Sequence, residues 1–184
     1  MDPTRHQGPK LASMFVYASA VFLADQVLKT WVTTHMTLHY PSIPLIPGWF
    51  ALTYTQNFGA AWSMLWSQTW LLIGIATTVV LGIVIYAFRL RERTWIQMAG
   101  LGFLLGGALG NLSDRARLGY VIDMFDLQHR GQNIFPIFNI ADICIDVGVV
   151  LLLLFTYMAG RAERQALAPG VGPGVDASVA TDRS

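Results

Sequence analysis

The sequence predicts an all-α membrane protein with four transmembrane helices, a small extracytoplasmic β-sheet and a second outer loop segment. Three observations lead to that fold class. The 184 residues are 54% hydrophobic and only 12% charged, with a mean hydropathy of +0.48, whereas soluble domains run at about 25% charged. Four segments approach the ~20 apolar residues that a hydrocarbon core needs. The polar residues that interrupt or border those segments gather near one end of them.

The first span is expected over residues 11–32, with Asp25 and Lys29 inside it. Arg5 and Lys10 before this run, and Ala18-Ser19-Ala20 within it, invite a cleaved-leader reading. The small triplet lies mid-run, where a cleavage site would follow the run, so the segment is expected to be retained. The second span, 70–88, carries no charge. The third, 95–112, contains Gly100, Gly102, Gly106, Gly107 and Gly110, small residues that let helices approach closely in lipid. The fourth, 138–160, holds Asp142 and Asp146.

Basic residues in short loops favour the cytoplasmic side. Arg5 and Lys10 precede span one, Arg89, Arg91 and Arg93 join spans two and three, and Arg161 and Arg164 follow span four. Both termini are therefore expected in the cytoplasm, with 33–69 and 113–137 on the outer side of the cytoplasmic membrane. Arg115, Arg117 and Arg130 count the other way but are sparser per loop length. Residues 1–10 form a short cytoplasmic terminus, and 161–184 have the Ala, Pro, Gly and Ser bias of a disordered tail.

In the first outer segment Pro41, Pro44, Pro47 and Gly48 punctuate the chain, and 50–55 alternates as a half-exposed strand does. Asn57 and Gly59 suit a turn, and 60–65 is expected to return as a second strand. Trp49, Trp62, Trp66 and Trp70 fit a membrane–water interface. The second outer segment holds a short strand-like run over 121–126, then a polar turn at 128–133 containing Gly131.

Net charge of +1 argues against a nucleic-acid surface. Cys144 is the only cysteine and the four histidines are scattered, so no disulfide or zinc set is expected. The chemistry must come from the polar layer. Asn111, Asp114 and Arg115 stand at i, i+3 and i+4 and share one helix face. Asp25 and Lys29, at i and i+4, can pair along another. Ionisable groups at membrane depth are costly, so their convergence with Asn57, Asp123, Asn139 and Asp142 marks a buried polar site. Neither a GxSxG turn nor a His–Cys pairing is present. Two carboxylates, Asp123 and Asp142, can share one proton, one acting as acid while the other serves as base toward water, with no metal or cofactor.

Each residue also has a plainer reading. Asp142 can favour a helix N-terminus by charge alone, Asn57 can be a turn residue, and Asn111 and Arg115 can anchor a helix end at the head groups. Asp126 and His129 read as solvated loop residues, and Cys144 as packing. Asp146 lies on the face of Asp142, one turn deeper, with no role chosen by the sequence.

Five stretches in order, DQVLK (25–29), TQNFGAAW (55–62), GGALGNLSDR (106–115), VIDMFD (121–126) and FNIAD (138–142), resemble the lipoprotein signal peptidases, bacterial type II signal peptidases that are integral-membrane aspartic proteases. The likeness covers most of residues 11–160. It implies an endopeptidase that removes the signal peptide of a diacylglyceryl-modified prolipoprotein before the lipidated cysteine. By motif, Asp123 and Asp142 are its catalytic pair, and Asn57, Asn111, Arg115 and Asn139 hold substrate or orient the pair. Asp25 and Lys29 support the site and Asp114 is structural. Expected partners are the lipidated precursor and membrane lipids, with no nucleic acid and no oligomer.

The alternative reading is a proton-coupled transporter or small channel, since intramembrane carboxylates with a lysine also mark ion paths. Such a protein is expected to place charges near the midplane, often between internal repeats. Here the charges crowd toward one face and no repeat is visible. A purely structural scaffold leaves the two outer-layer aspartates without a purpose.

Overall fold

Glycine decides which helix lies in the middle. The computed structural model describes residues 7–39, 42–59 and 68–167. Its elements run α1 (Gln7–His35), β1 (Ile43–Ile46), β2 (Phe50–Asn57), α2 (Thr69–Arg89), α3 (Trp95–Leu118), β3 (Val121–His129), β4 (Gln132–Asn133) and α4 (Ile140–Leu167). All four helices are long and apolar enough to cross a membrane. The apolar window of α3 is 56% buried, against 22% in α1 and 11% in α2 and in α4, so α3 is the axis against which the others pack.

Its glycines make that possible. A Cβ on Gly106 would stand 2.6 Å from the carbonyl oxygen of Ala18 on α1, and one on Gly107 would collide with the carbonyl oxygen of Ala141 on α4. Backbone therefore meets backbone on both sides of α3, the close approach that small residues permit in lipid, where helix association gains nothing from excluding water. Met14, Ala18, Ala87, Met98, Leu101 and Leu105 fill the core between α1, α2 and α3.

α3 starts where the Thr94 side chain accepts from the Gln97 amide at 3.2 Å, an N-cap. It continues to Leu118, past the expected end at Leu112, because only Gly119 leaves the helical conformation, at φ 84. Asn111, Asp114 and Arg115 thus sit inside a helix rather than at its frayed end. Arg93, before α3, donates to the carbonyls of Ala87 and Phe88 at the C-terminus of α2, where cations are favoured.

The sheet is antiparallel in the order β1-β2-β3-β4. It differs from the expected hairpin. Residues 60–65, expected as the return strand, lie outside the described residues, as do Trp62 and Trp66. Instead β2 pairs on one side with β1, which reads in the sequence as a proline-punctuated loop, and on the other with β3 from the second outer segment. Pro44 is tolerated because β1 is an edge strand with an irregular register between Pro44 and Ile46. β3 runs beyond the expected 121–126 to His129, and Arg130 and Gly131, both at positive φ, turn the chain into β4. Tyr54, Ile122 and Met124 seat the sheet on Val32 of α1.

The fourth helix begins at Ile140, not at 138, since Phe138 is held in a β-bridge with Phe125. It also continues through 161–167, where a disordered tail was expected. The run AERQAL consists of strong helix formers, and that propensity outweighs the Pro and Gly bias of residues 169–174. The rest of the expected tail, 168–184, and residues 1–6 lie outside the described residues.

Gly107→Ala should lower stability by about 1–3 kcal/mol through overpacking, read as a fall in the thermal midpoint in detergent. Gly74→Ala, with nothing within 4 Å of the added methyl, should not. Equal midpoints for the two variants would contradict the glycine seam.

Candidate active site

Lys29 is 1% exposed and carries its charge into the interior of the bundle. Its ammonium stands 2.8 Å from Asp25 Oδ2 and 2.8 Å from Asp114 Oδ2, and donates to Asn111 Oδ1 at 3.0 Å. Three donor positions thus meet three acceptors, which lets a cation persist away from water. Asp25 also accepts from the Ala141 amide at 3.1 Å, in the first turn of α4. Asp114 accepts from the Ile122 amide at 3.2 Å, near the start of β3. Through these two carboxylates the α1–α3 pair holds both α4 and the sheet.

The second layer builds on Asn111. With its oxygen occupied by Lys29, its Nδ2 faces Asp142 and donates to Oδ1 at 2.8 Å. Asn139 completes the arrangement as the N-cap of α4. Its Oδ1 accepts from the Asp142 amide at 3.0 Å, while its own amide donates to Asp142 Oδ2 at 3.2 Å, the reciprocal pattern of a capping box. Its Nδ2 reaches the other way, to Asp123 Oδ1 at 2.6 Å and Asn111 Oδ1 at 3.1 Å. One fully buried side chain thus bridges Asp123 on β3 and Asp142 on α4.

Asn57, at the end of β2, donates to Asp123 Oδ2 at 3.0 Å, and its own oxygen accepts from the Gly59 amide at 3.0 Å. Arg115 donates to the Gly59 carbonyl at 2.9 Å, and its charge acts on Asp123, Asp142 and Asp114. Thr55 lies opposite Asp123 in the sheet. Burial pushes the Asp123 carboxyl up to about 7, and the charge of Asp142 adds to the rise. The amides of Asn57 and Asn139 and the charge of Lys29 oppose it.

Asp123, Asp142, Asn57, Asn111 and Arg115 line one cavity of about 1040 Å³. Its remaining wall is largely apolar, from Val121 and Leu127 through Phe135 and Phe138 to Ile143 and Ile145. A few convergent polar groups in an apolar concavity are the usual form of a small-ligand or peptide site. Among the described residues no group of three or more His, Cys, Asp and Glu side chains could hold a metal ion.

The structure brings all nine residues singled out by sequence into one connected network. Asp25, Lys29, Asp114 and the bridging Asn139 lie behind the cavity wall, while the other five form its polar end. Asp126 departs from its expected place. It is 1% exposed rather than solvated, and accepts from Thr53 and Gln128 through Oδ2, because β2 covers it in the sheet. His129 is exposed and packs edge-on against Trp49. Sequence reasoning missed Gln26, which donates to Asp25 and Asp114 and accepts from Arg117. Its signal was its place in DQVLK, as an amide inside an apolar span.

This architecture is that of known integral-membrane enzymes. One solved structure of a bacterial membrane enzyme aligns with a TM-score of 0.73 at 29% identity, covering 80% of this chain and 88% of that one. A second aligns at 0.70 and 30%, covering 79% and 92%. Within that class the sequence is specific: the model of the signal peptidase (SPase) II family matches residues 17–158, and the chain belongs to that family of membrane peptidases. Similar relatives include the lipoprotein signal peptidases of Symbiobacterium thermophilum, 41% identical over 79% of this chain and 95% of the relative, and of Brevibacillus brevis, 41% identical over 82% and 98%.

Lys29→Met would leave the Asp25 and Asp114 carboxylates buried against each other. Loss of one partner from such a pair costs about 3–5 kcal/mol, so the variant should melt far below the parent in detergent. A thermal midpoint like that of the parent would show that Lys29 does not hold the network together.

Proposed function

We propose that this protein removes the signal peptide from diacylglyceryl-modified prolipoproteins, hydrolysing the bond before the lipidated cysteine with Asp123 and Asp142 as the catalytic pair. The observation that carries this reading is the Asn139 bridge, which ties the two carboxylates together at the wall of one apolar cavity. The names of the relatives supply the substrate class.

The pair holds one proton between its two members. Asp123, the carboxyl whose surroundings retain a proton up to about 7, gives it to the scissile carbonyl oxygen as water attacks the carbonyl carbon. Asp142, fixed by Asn111 and by the amide of Asn139, takes the proton from that water. Collapse of the tetrahedral diol then breaks the C–N bond. The proton on Asp142 goes to the leaving nitrogen, a diol proton returns to Asp123, and the pair is restored. Asn57 and Asn139 keep Asp123 aimed, and Arg115 places the 57–59 segment at the rim through the Gly59 carbonyl.

The sheet and cavity stand at one end of the bundle, and the arginine-bearing turn between α2 and α3 at the other. With that turn in the cytoplasm, as basic residues prefer, both chain termini are cytoplasmic and the cavity opens at the outer face of the cytoplasmic membrane. The lipid of the substrate then remains in the outer leaflet while its peptide bond enters the cavity.

Asp123→Asn and Asp142→Asn should each abolish cleavage of a synthetic diacylglyceryl lipopeptide while leaving the thermal midpoint near that of the parent. Normal cleavage by either variant would refute the assignment. The rate should also fall as pH rises through about 7, since deprotonating the pair removes the acid. The folded protein holds the Asp123 proton more tightly than the unfolded chain, whose carboxyl titrates near 3.8. The stability linked to it is therefore fully present below about pH 4 and is lost as pH rises to about 7. Thermal midpoints across that window should decline less in Asp123→Asn than in the parent, and equal slopes would contradict the linkage.

A further inference from the structure

One carboxylate of the cavity has no part in the chemistry above. Asp146 lies on α4 four residues beyond Asp142, so the 1.5 Å rise per residue places it about 6 Å further into the bundle on the same face. It lines the same cavity and is exposed. The other site carboxylates, Asp25, Asp114, Asp123 and Asp142, each accept at least one hydrogen bond or ion pair. Asp146 makes neither with any described residue. A carboxylate at membrane depth without a protein partner is costly, and the cavity is where a partner can arrive.

The geometry points to Asp146 as a substrate-binding residue that accepts a hydrogen bond from a main-chain N–H of the signal peptide, before the scissile bond. The inference rests on the peptidase reading given above. A peptide bond can reach the carboxylate pair only if the chain around it is extended, and unwinding a helix frees amide groups that lipid cannot satisfy. The chain before the cleaved bond descends into the bilayer, because the signal peptide crosses toward the cytoplasm. Its first unwound amides therefore pass the level one helical turn below Asp142. Beyond Asp142 the other cavity-lining residues of α4 are Ile143 and Ile145, which offer no side-chain acceptor. Every substrate carries such N–H groups whatever its side chains, so the contact helps bind any precursor without selecting among sequences.

The test uses the full-length protein in detergent with a fluorogenic diacylglyceryl lipopeptide. Asp146→Leu, similar in volume and without an acceptor, should raise KM about tenfold and leave kcat within about twofold, with an unchanged thermal midpoint. Asp146→Asn keeps an acceptor oxygen and should stay within about threefold of the parent KM. Lipopeptides in which an ester replaces the amide two, three or four residues before the scissile bond locate the donor. One of these esters should raise KM for the parent and have no further effect on Asp146→Leu. An unchanged KM for Asp146→Leu, or ester effects equal in parent and variant at all three positions, would overturn the inference while leaving the peptidase reading intact. A parent protein that fails to cleave the lipopeptide would overturn the peptidase reading itself.

Discussion

The buried polar core where the helices and the sheet meet is built on one ammonium. Lys29 holds Asp25, Asp114 and Asn111 within about 3 Å, and each of those three goes on to fix something else. Asp25 holds the first turn of α4, Asp114 the start of β3, and Asn111 the carboxylate of Asp142. In a low-dielectric interior an ion pair is seldom a net source of stability, but its loss is severe. Here the pair works as a joint: three helices and a sheet meet where only one arrangement satisfies all the charges.

The balance of charge in that joint bears directly on the chemistry. Four carboxylates, from Asp25, Asp114, Asp123 and Asp142, face two cations, Lys29 and Arg115. Lys29 is already shared between Asp25 and Asp114, so the upper pair receives only part of its field. Burial, with the charge of Asp142 beside it, favours a proton on Asp123 toward neutral pH despite two amide donors and the opposing charge of Lys29. The supporting layer thus sets a geometry, while its Lys29 charge tempers the rise at Asp123. The glycine seam belongs to the same device: at Gly110 an added Cβ would stand 2.6 Å from Asp25 Oδ2, so only a bare backbone admits the carboxylate to its position beside α4.

Much of this was legible in the sequence because it is local. Long apolar runs report spans, and Asp25 with Lys29, or Asn111 with Arg115, report helix faces at i, i+4. The residues brought together were also legible, since charges at one depth of a membrane must find each other. Non-local pairing was not legible. β1 reads as a proline-rich loop until β2 lies beside it, and Asp126 reads as solvated until Thr53 covers it. The length of α3 is hidden for a different reason: its polar residues look like a helix end, whereas the backbone of Gly119 ends it. Apolarity likewise suggests that α4 starts at Phe138, although that residue is spent on a bridge to Phe125.

That last displacement makes Asn139 a cap instead of an interior residue. A capping asparagine has fixed backbone duties: its carbonyl opens the helix and its side-chain oxygen receives the amide of the third helical residue. Here that third residue is Asp142, so the rule that starts the helix also orients the carboxylate. The Nδ2 of the cap points away from the helix, and the bridge between Phe125 and Phe138 brings β3 to where Asp123 can accept from it. The placement of the two aspartates therefore depends on cap geometry, one β-bridge and the fully buried Asn139 side chain. On the function proposed above the two carboxylates share a proton and need such constancy, because proton affinity changes steeply with the distance between like charges.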